Sequence, residues 1–157
     1  MSSSGAACAY EYEYEMEPEV TGWEPKGDQS VDKRIDDPLR AEITRAQEMI
    51  GIPNADEDSL VYSRETINVA IEFLRAQSAQ FHKMYSYCPP VPLIGPGPDG
   101  SVDLHWKQEK WELLVNIPAG INQQATFYGD DYGIQMIKGT LSPKKVNYGI
   151  IAWLTHK

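Results

Sequence analysis

The chain has 157 residues and a formal net charge of −9, with 41% hydrophobic and 24% charged residues. This length suits one domain with its own core, and no apolar run approaches the roughly eighteen residues of a membrane helix, so we expect no membrane association. The acidic balance repels phosphate backbones, so we expect no direct nucleic-acid binding and, where charge matters, a basic protein partner.

The negative charge is concentrated near the N-terminus. Residues 1–37 hold ten acids and three bases, giving −7, whereas residues 38–157 hold thirteen acids and eleven bases, giving −2. Residues 1–36 lack apolar periodicity and are rich in Ser, Gly, Glu and Pro, a composition that predicts a disordered acidic tail.

Within this tail, tyrosine and glutamate alternate with the period of a β-strand. The composition favours a leader that stays disordered. The functional alternative is a segment that orders on a basic partner, its aromatic rings docking while its carboxylates meet basic side chains, and an extra edge strand of the chain's own sheet is a third alternative. The candidate partner-binding residues are Tyr10, Glu11, Tyr12, Glu13, Tyr14 and Glu15.

The two cysteines, Cys8 and Cys88, are too few for a disulfide framework, so we predict free thiols in a reducing compartment. The first ten residues lack the basic and apolar stretches of a secretory signal. Both observations favour a cytoplasmic location.

The first predicted helix opens at Asp37, a good N-cap, followed by Pro38 at the first helical position. Gly51 and Pro53 are its stop signals. The apolar residues fall at spacings of four, three and four and form one stripe: Leu39, Ile43, Ala46 and Ile50.

A second helix is predicted from the N-cap Ser63 to near Lys83. Tyr62 and Ile67 have the spacing of a hydrophobic staple across its start. The proline-rich segment 88–92 cannot continue the helix, so we expect an extended crossover there.

Near residue 100 the apolar residues begin to recur at every second position, which is a strand period. We predict four strands over 102–107, 111–117, 125–128 and 134–136, joined as an antiparallel meander. Trp106 and Trp111 fall on the apolar strand faces, where we expect core packing.

A C-terminal helix is predicted over 143–155, capped by Ser142 and with Pro143 at its first position, and a fifth strand is the alternative. The fold class is therefore α+β, with two N-terminal helices, a four-stranded meander and a C-terminal helix in a single domain, 37–157.

The segment 95–100 matches the glycine pattern of dinucleotide sites, but two of its positions are prolines without amide hydrogens, so we interpret it as a turn. No histidine has metal-ligand spacing with another histidine or a cysteine, and we predict no cofactor. Carboxylates and a histidine nevertheless offer one site for a small enzyme or ligand-binding domain. Its residues are Asp103, His105, Asp130 and Asp131.

From about Arg64 onward, the chain resembles a group of small bacterial proteins without an established activity. The resemblance is carried by a helix like 65–74, a proline-rich crossover, the strand signature 98–106, a strand like 111–117 and the segment 127–130. His105 stands where a glutamate is common in the group, so no role of that acid transfers. The resemblance implies a fold and not a function.

Three functional hypotheses follow. The leading one is a non-enzymatic interaction or regulatory module that binds a basic partner through its tail. Small proteins of this kind often accompany toxin-like or mobile-element genes, so an antitoxin-like or accessory role fits by association. The others are the small enzyme or ligand-binding domain and a structural subunit, such as a homodimer paired through an exposed sheet edge or through the tail.

Overall fold

The computed structural model describes residues 37–51, 62–120 and 122–157. The elements of this part are α1 (Pro38–Gln47), α2 (Arg64–Tyr85), β1 (Leu93–Pro96), β2 (Val102–Lys107), β3 (Glu112–Ile117), β4 (Ala125–Asp130), β5 (Met136–Leu141) and α3 (Tyr148–Trp153). The strands form one antiparallel sheet in sequence order, β1-β2-β3-β4-β5. The predicted α+β class is confirmed, with five strands in place of four. The predicted tail, residues 1–36, lies outside the described residues.

The two N-terminal helices begin where their capping residues predict. The Asp37 carboxylate accepts a hydrogen bond from the Leu39 amide at 3.0 Å, and the Ser63 hydroxyl accepts one from the Thr66 amide at 3.1 Å. Each cap satisfies an amide that the first helical turn leaves without a partner. α2 ends two residues later than predicted, at Tyr85.

The core lies between the helices and one face of the sheet. α1 packs on β1, α2 packs on β2 and β3, and α3 packs on α2. Trp106 and Trp111 are buried, as predicted, and the Trp106 indole donates to the Pro90 carbonyl at 2.9 Å. The inward-facing strand residues include Ile94, Val102, Leu104, Trp106, Leu113, Val115, Ile117 and Ala125.

β1 lies within the segment where prolines and glycines are frequent, so the prediction of four strands was one strand short. Its outer edge is covered by α1. The Ile94 amide donates to Glu42 Oε2 at 2.8 Å, and the Ile94 carbonyl accepts from Arg45. Side chains of a helix therefore complete the backbone hydrogen bonds that a neighbouring strand would otherwise make.

The C-terminal helix is confirmed, but its predicted start at Ser142 was wrong. The N-cap is Asn147, whose side chain accepts from the Ile150 amide at 3.0 Å. The buried Gln77 donates to the Lys145 carbonyl and accepts from the Asn147 amide. These two bonds hold residues 145–147 outside the helix.

The predicted turn before β2 is present at 98–100, and it follows a strand, β1, that was not predicted. Pro98–Gly100 is one 3₁₀ turn, and the Gly97 amide donates to the Ser101 carbonyl at 2.8 Å. Asp99 and Gly100 have φ values of 56° and 77°. Aspartate and glycine are among the residues that tolerate this left-handed region best.

Cys88 is disulfide-bonded, so the prediction of a free thiol at this position was wrong. Disulfides are rarely retained in a reducing cytoplasm, and the predicted cytoplasmic location gains no support from this bond. Among the described helices, none combines the length and apolar character needed to cross a bilayer.

Candidate functional site

The four residues predicted for an enzymatic or ligand site lie at the outer face of the sheet and in the β4–β5 turn. Asp103 accepts a hydrogen bond from Asn116 Nδ2 at 2.7 Å, and the same nitrogen lies 2.8 Å from Ser101 Oγ. Asp103 and Asn116 are register partners on β2 and β3. The Asp103 carboxylate therefore contributes to cross-strand pairing next to the 98–100 turn.

Asp130 and Asp131 shape the connection from β4 to β5. Asp130 accepts from the Tyr128 hydroxyl at 2.9 Å and from the Tyr132 amide at 2.7 Å. Asp131 Oδ1 accepts from the amides of Gly133 and Gln135, each at 2.9 Å. The Gln135 and Gly133 amides lower the pKa of Asp131, the Gln135 amide most. Hydrogen bonds of this kind are typical of aspartates in turns.

Glu112, which sequence reasoning did not single out, forms the centre of the polar cluster on the outer face. Its carboxylate accepts from the Tyr132 hydroxyl at 2.6 Å and pairs with Lys107 Nζ at 3.0 Å. His105 Nε2 lies 3.9 Å from Glu112 Oε2, beyond hydrogen-bond distance. Asp130 is the register partner of Glu112 on β4. The structure therefore brings His105 and Asp130 to either side of Glu112, while Asp103 and Asp131 have separate partners.

The pKa shifts in this cluster favour fixed charges. The Tyr132 hydroxyl and the Lys107 ammonium lower the pKa of Glu112, and the Glu112 carboxylate raises the pKa of Lys107. A general base that works near neutral pH needs a carboxyl whose pKa is raised. Among the described residues, no group of three or more His, Cys, Asp or Glu side chains could hold a metal ion.

A second feature is an open groove of about 940 Å³ between β5 and α3. Phe127, Ile137 and Trp153 supply much of its apolar wall. Ile134 and Met136 at its border are 95% and 61% exposed, which is unusual for large apolar side chains.

Small residues keep this groove open. Gly149 and Ala152 line it from α3, and Gly139 lies on β5 opposite Phe127. A Cβ at Gly139 would meet the Phe127 ring at 3.2 Å, so a larger residue there would press on the groove wall. With only six residues, α3 covers this end of the sheet incompletely.

The groove borders an open strand edge. The Asp131 amide donates to the Gln135 carbonyl, which makes residues 131 and 135 a hydrogen-bonded pair at the start of the β4–β5 ladder. Because hydrogen-bonded and non-bonded pairs alternate, the backbone groups of Met136, Lys138 and Thr140 point away from β4. In the described part of the chain, nothing hydrogen-bonds to these outward groups.

The segment that forms this edge and most of the groove is basic. Residues 132–157 contain four lysines and no aspartate or glutamate side chain. Lys138 lines the groove, and Lys144 and Lys145 are exposed in the loop that leads to α3. The charge of this region is therefore opposite to that of the chain as a whole.

Comparison of the sequence with protein-family models, curated proteins and solved structures found no match. The resemblance to a group of small bacterial proteins therefore stays a prediction.

Proposed function

We propose that the chain is a peptide-binding module that adds an extended, acidic segment of a protein partner to the edge of β5. The observation that carries this proposal is an open strand edge next to an apolar groove. In such strand addition, the backbone of the ligand pairs with the edge, and its alternate side chains enter neighbouring pockets.

The geometry supports a strand rather than a compact ligand. The amides and carbonyls of Met136, Lys138 and Thr140 point to the open side. The groove lies on the inner face of the sheet at this edge, so every second side chain of an added strand would enter it. The volume of the groove also falls within the range of about 300–1,000 Å³ for small-ligand pockets, so an apolar small molecule is the competing occupant.

The lysines next to the β5 edge favour an acidic segment. Side chains of an added strand that point to the outer face would lie next to Lys138, and Lys144 and Lys145 follow in the adjoining loop. Opposite charges in neighbouring cross-strand positions stabilise strand pairing. The preferred ligand therefore has apolar or aromatic residues alternating with carboxylates.

The two edges of the sheet support the same proposal by contrast. β1 has four residues, contains Pro96, and has its Ile94 backbone groups bonded to Glu42 and Arg45. Proteins usually protect strand edges in such ways against pairing with other chains. β5 has six residues and no proline, and its outward groups lack such a cover in the described structure.

A fluorescein-labelled octapeptide of alternating Phe and Glu tests the proposal by fluorescence anisotropy with the full chain. The control peptide has Lys in place of Glu. The variant Thr140→Pro removes an outward amide without removing a hydrogen bond to β4, and Thr140→Ala is its matched control. We expect Thr140→Pro to weaken binding of the acidic peptide about ten-fold, or about 1.4 kcal/mol, and Thr140→Ala to change it less than two-fold.

Equal affinity for the acidic and basic peptides, or for the two Thr140 variants, would contradict the proposal. Binding of a small apolar dye with no peptide binding would indicate a ligand pocket instead. Residues 10–15, which we predict to bind a basic partner, lie outside the described residues, so this partner stays a prediction. The alternative enzymatic site stays a prediction: His105 and Asp130 flank Glu112, whereas Asp103 and Asp131 have separate hydrogen-bond partners.

A further inference from the structure

We infer that the ligand of the β5 edge is the chain's own segment Tyr10–Glu17, which docks intramolecularly and blocks the groove until it is displaced. This inference rests on the proposed function and names the occupant of the same site. It pairs the acidic N-terminal segment with the basic C-terminal segment, the two parts of the chain with the strongest opposite charge.

The sequence of the segment has the pattern that the site requires. Tyr10, Tyr12, Tyr14 and Met16 alternate with Glu11, Glu13, Glu15 and Glu17. In an added strand, one set would face the inner side of the sheet with Phe127 and Ile137, while the other would face the outer side, next to the Lys138 side chain. Eight residues are sufficient to pair with the full length of β5, which has six.

The charges of the two segments are complementary. Residues 1–37 carry −7, whereas residues 132–157 carry four lysines and no carboxylate side chain. Among the described residues that line the groove, Lys138 is a basic side chain and none is an Asp or Glu. Asp131 lies near His156 but is bonded to the backbone of its own turn.

The connecting chain is long enough to reach. Residues 18–36 form a connector of 19 residues between the segment and α1. A connector of this length spans up to about 65 Å when extended. A domain of about 120 residues has a radius of gyration of about 14 Å, so the connector can reach any of its faces.

A disulfide between Cys88 and Cys8 would provide a second link between the N-terminal segment and the domain. Cys88 is disulfide-bonded, and Cys8, the other cysteine of the sequence, precedes Tyr10 by two positions. The neighbouring Tyr87 ring lies 5.7 Å from Lys157 Nζ, and His156 lines the groove. A bond between the two cysteines would therefore hold the start of the segment beside Tyr87, whose ring contacts Lys157 next to the groove residue His156.

Intramolecular docking makes the site self-regulating. A docked segment competes with any other acidic peptide as an intramolecular ligand, and covalent linkage commonly raises its effective concentration into the millimolar range. A partner must therefore outcompete the segment, and a basic partner that captures the segment would open the groove. The groove and the N-terminal segment would then act together as one switch.

Hydrogen exchange of the Met136, Lys138 and Thr140 amides in the full chain, followed by NMR, tests the docking directly. The test variant replaces Tyr10, Tyr12 and Tyr14 by Ser, and the matched control replaces the same residues by Phe. We expect the test variant to exchange at least ten-fold faster than the native chain at these three amides, and the Phe control to keep its protection. The Ile137 amide, which bonds to β4, should be unaffected in both.

The same proteins are then titrated with the alternating Phe–Glu octapeptide. Docking predicts at least ten-fold tighter peptide binding by the Ser variant than by the native chain. Equal peptide binding by both, with equal exchange at the three amides, overturns the docking but leaves the proposed function intact. No peptide binding by either protein overturns the proposed function, while the exchange result still decides the docking.

Protection that rises with protein concentration would show that the segment of a second copy occupies the edge. That result would overturn the intramolecular inference. Measurements at two concentrations ten-fold apart separate the two cases.

Discussion

Replacing Glu42 by Ala should destabilise the domain by about 2 kcal/mol, because this carboxylate covers the edge of β1. Glu42 Oε2 accepts from the Ile94 amide at 2.8 Å, and Ile94 is fully buried. A hydrogen bond to a charged group contributes about 1.5–3 kcal/mol, and a buried amide without a partner costs about 1–3 kcal/mol. The pair with the 43% exposed Arg45 adds only a few tenths of a kcal/mol.

The loss should depend on pH in a defined direction. Burial raises the pKa of Glu42, but the hydrogen bonds from Arg45 and the Ile94 amide, together with the Arg45 charge, outweigh it and lower the pKa from 4.5. A carboxyl with a lower pKa in the folded state stabilises the protein above the unfolded pKa. This contribution disappears as the pH falls through the folded pKa. The difference between native chain and variant should therefore be complete at pH 7 and shrink below about pH 4.5.

Urea unfolding of the full chain at pH 7 and at several values down to pH 3.5 measures this difference. The control is Glu48→Ala, which removes an exposed carboxylate from the end of the same helix and should change the stability by less than about 0.5 kcal/mol. A loss below 0.5 kcal/mol for Glu42→Ala, or a loss that is the same at pH 3.5 as at pH 7, would refute the role of Glu42 as an edge cover.

Three further results are expected. Gly129→Ala should destabilise the domain by about 1–3 kcal/mol in urea unfolding, because a Cβ there would lie 2.9 Å from both Ile137 and Trp153. The control Gly95→Ala should be neutral, because a Cβ at Gly95 meets nothing within 4 Å. Tyr132→Phe should raise the pKa of Glu112 toward 4.5 in a carboxyl NMR titration, and an unchanged pKa would rule out this hydrogen bond as the main cause. In the denatured, non-reduced protein, iodoacetamide should leave Cys88 unlabelled until a reductant is added, and labelling before reduction would contradict the disulfide.

The elements that local signals determine could be predicted, and those that depend on distant residues could not. Asp37 and Ser63 act as caps within their own first turns, so the sequence pattern located both helix starts. The strand alternation after residue 100 likewise depends on neighbours along the chain. β1 differs because its edge groups are completed by Glu42 and Arg45, about fifty residues earlier.

The start of α3 was misplaced for a similar reason. Ser142 and Pro143 form a good local start signal, but Gln77 binds the backbone at Lys145 and Asn147 from 68 and 70 residues away. A buried amide side chain with both of its polar atoms satisfied outweighs a local preference of about 1 kcal/mol. Nothing in the sequence near residue 142 carries this information.

The candidate site was also only partly predictable. Glu112 could have been found, because a strand register that places Lys107 opposite it follows from a hairpin between two alternating segments. The groove could not, since it depends on how short α3 is and on where its small residues face β5. The tertiary position of one six-residue helix thus decides whether this surface exists.

Lys138 has a second possible explanation, which a single substitution separates from docking. A lysine on an edge strand also protects that strand against self-association, through its charge alone. Under that explanation Lys138→Glu, which keeps a charge, leaves the exchange of the outward β5 amides unchanged. Under docking, the new carboxylate repels the glutamates of the N-terminal segment, and the Met136 and Thr140 amides lose their protection. The two explanations predict different exchange rates at the same two amides. Unchanged protection in Lys138→Glu would therefore show that Lys138 only protects the edge against self-association.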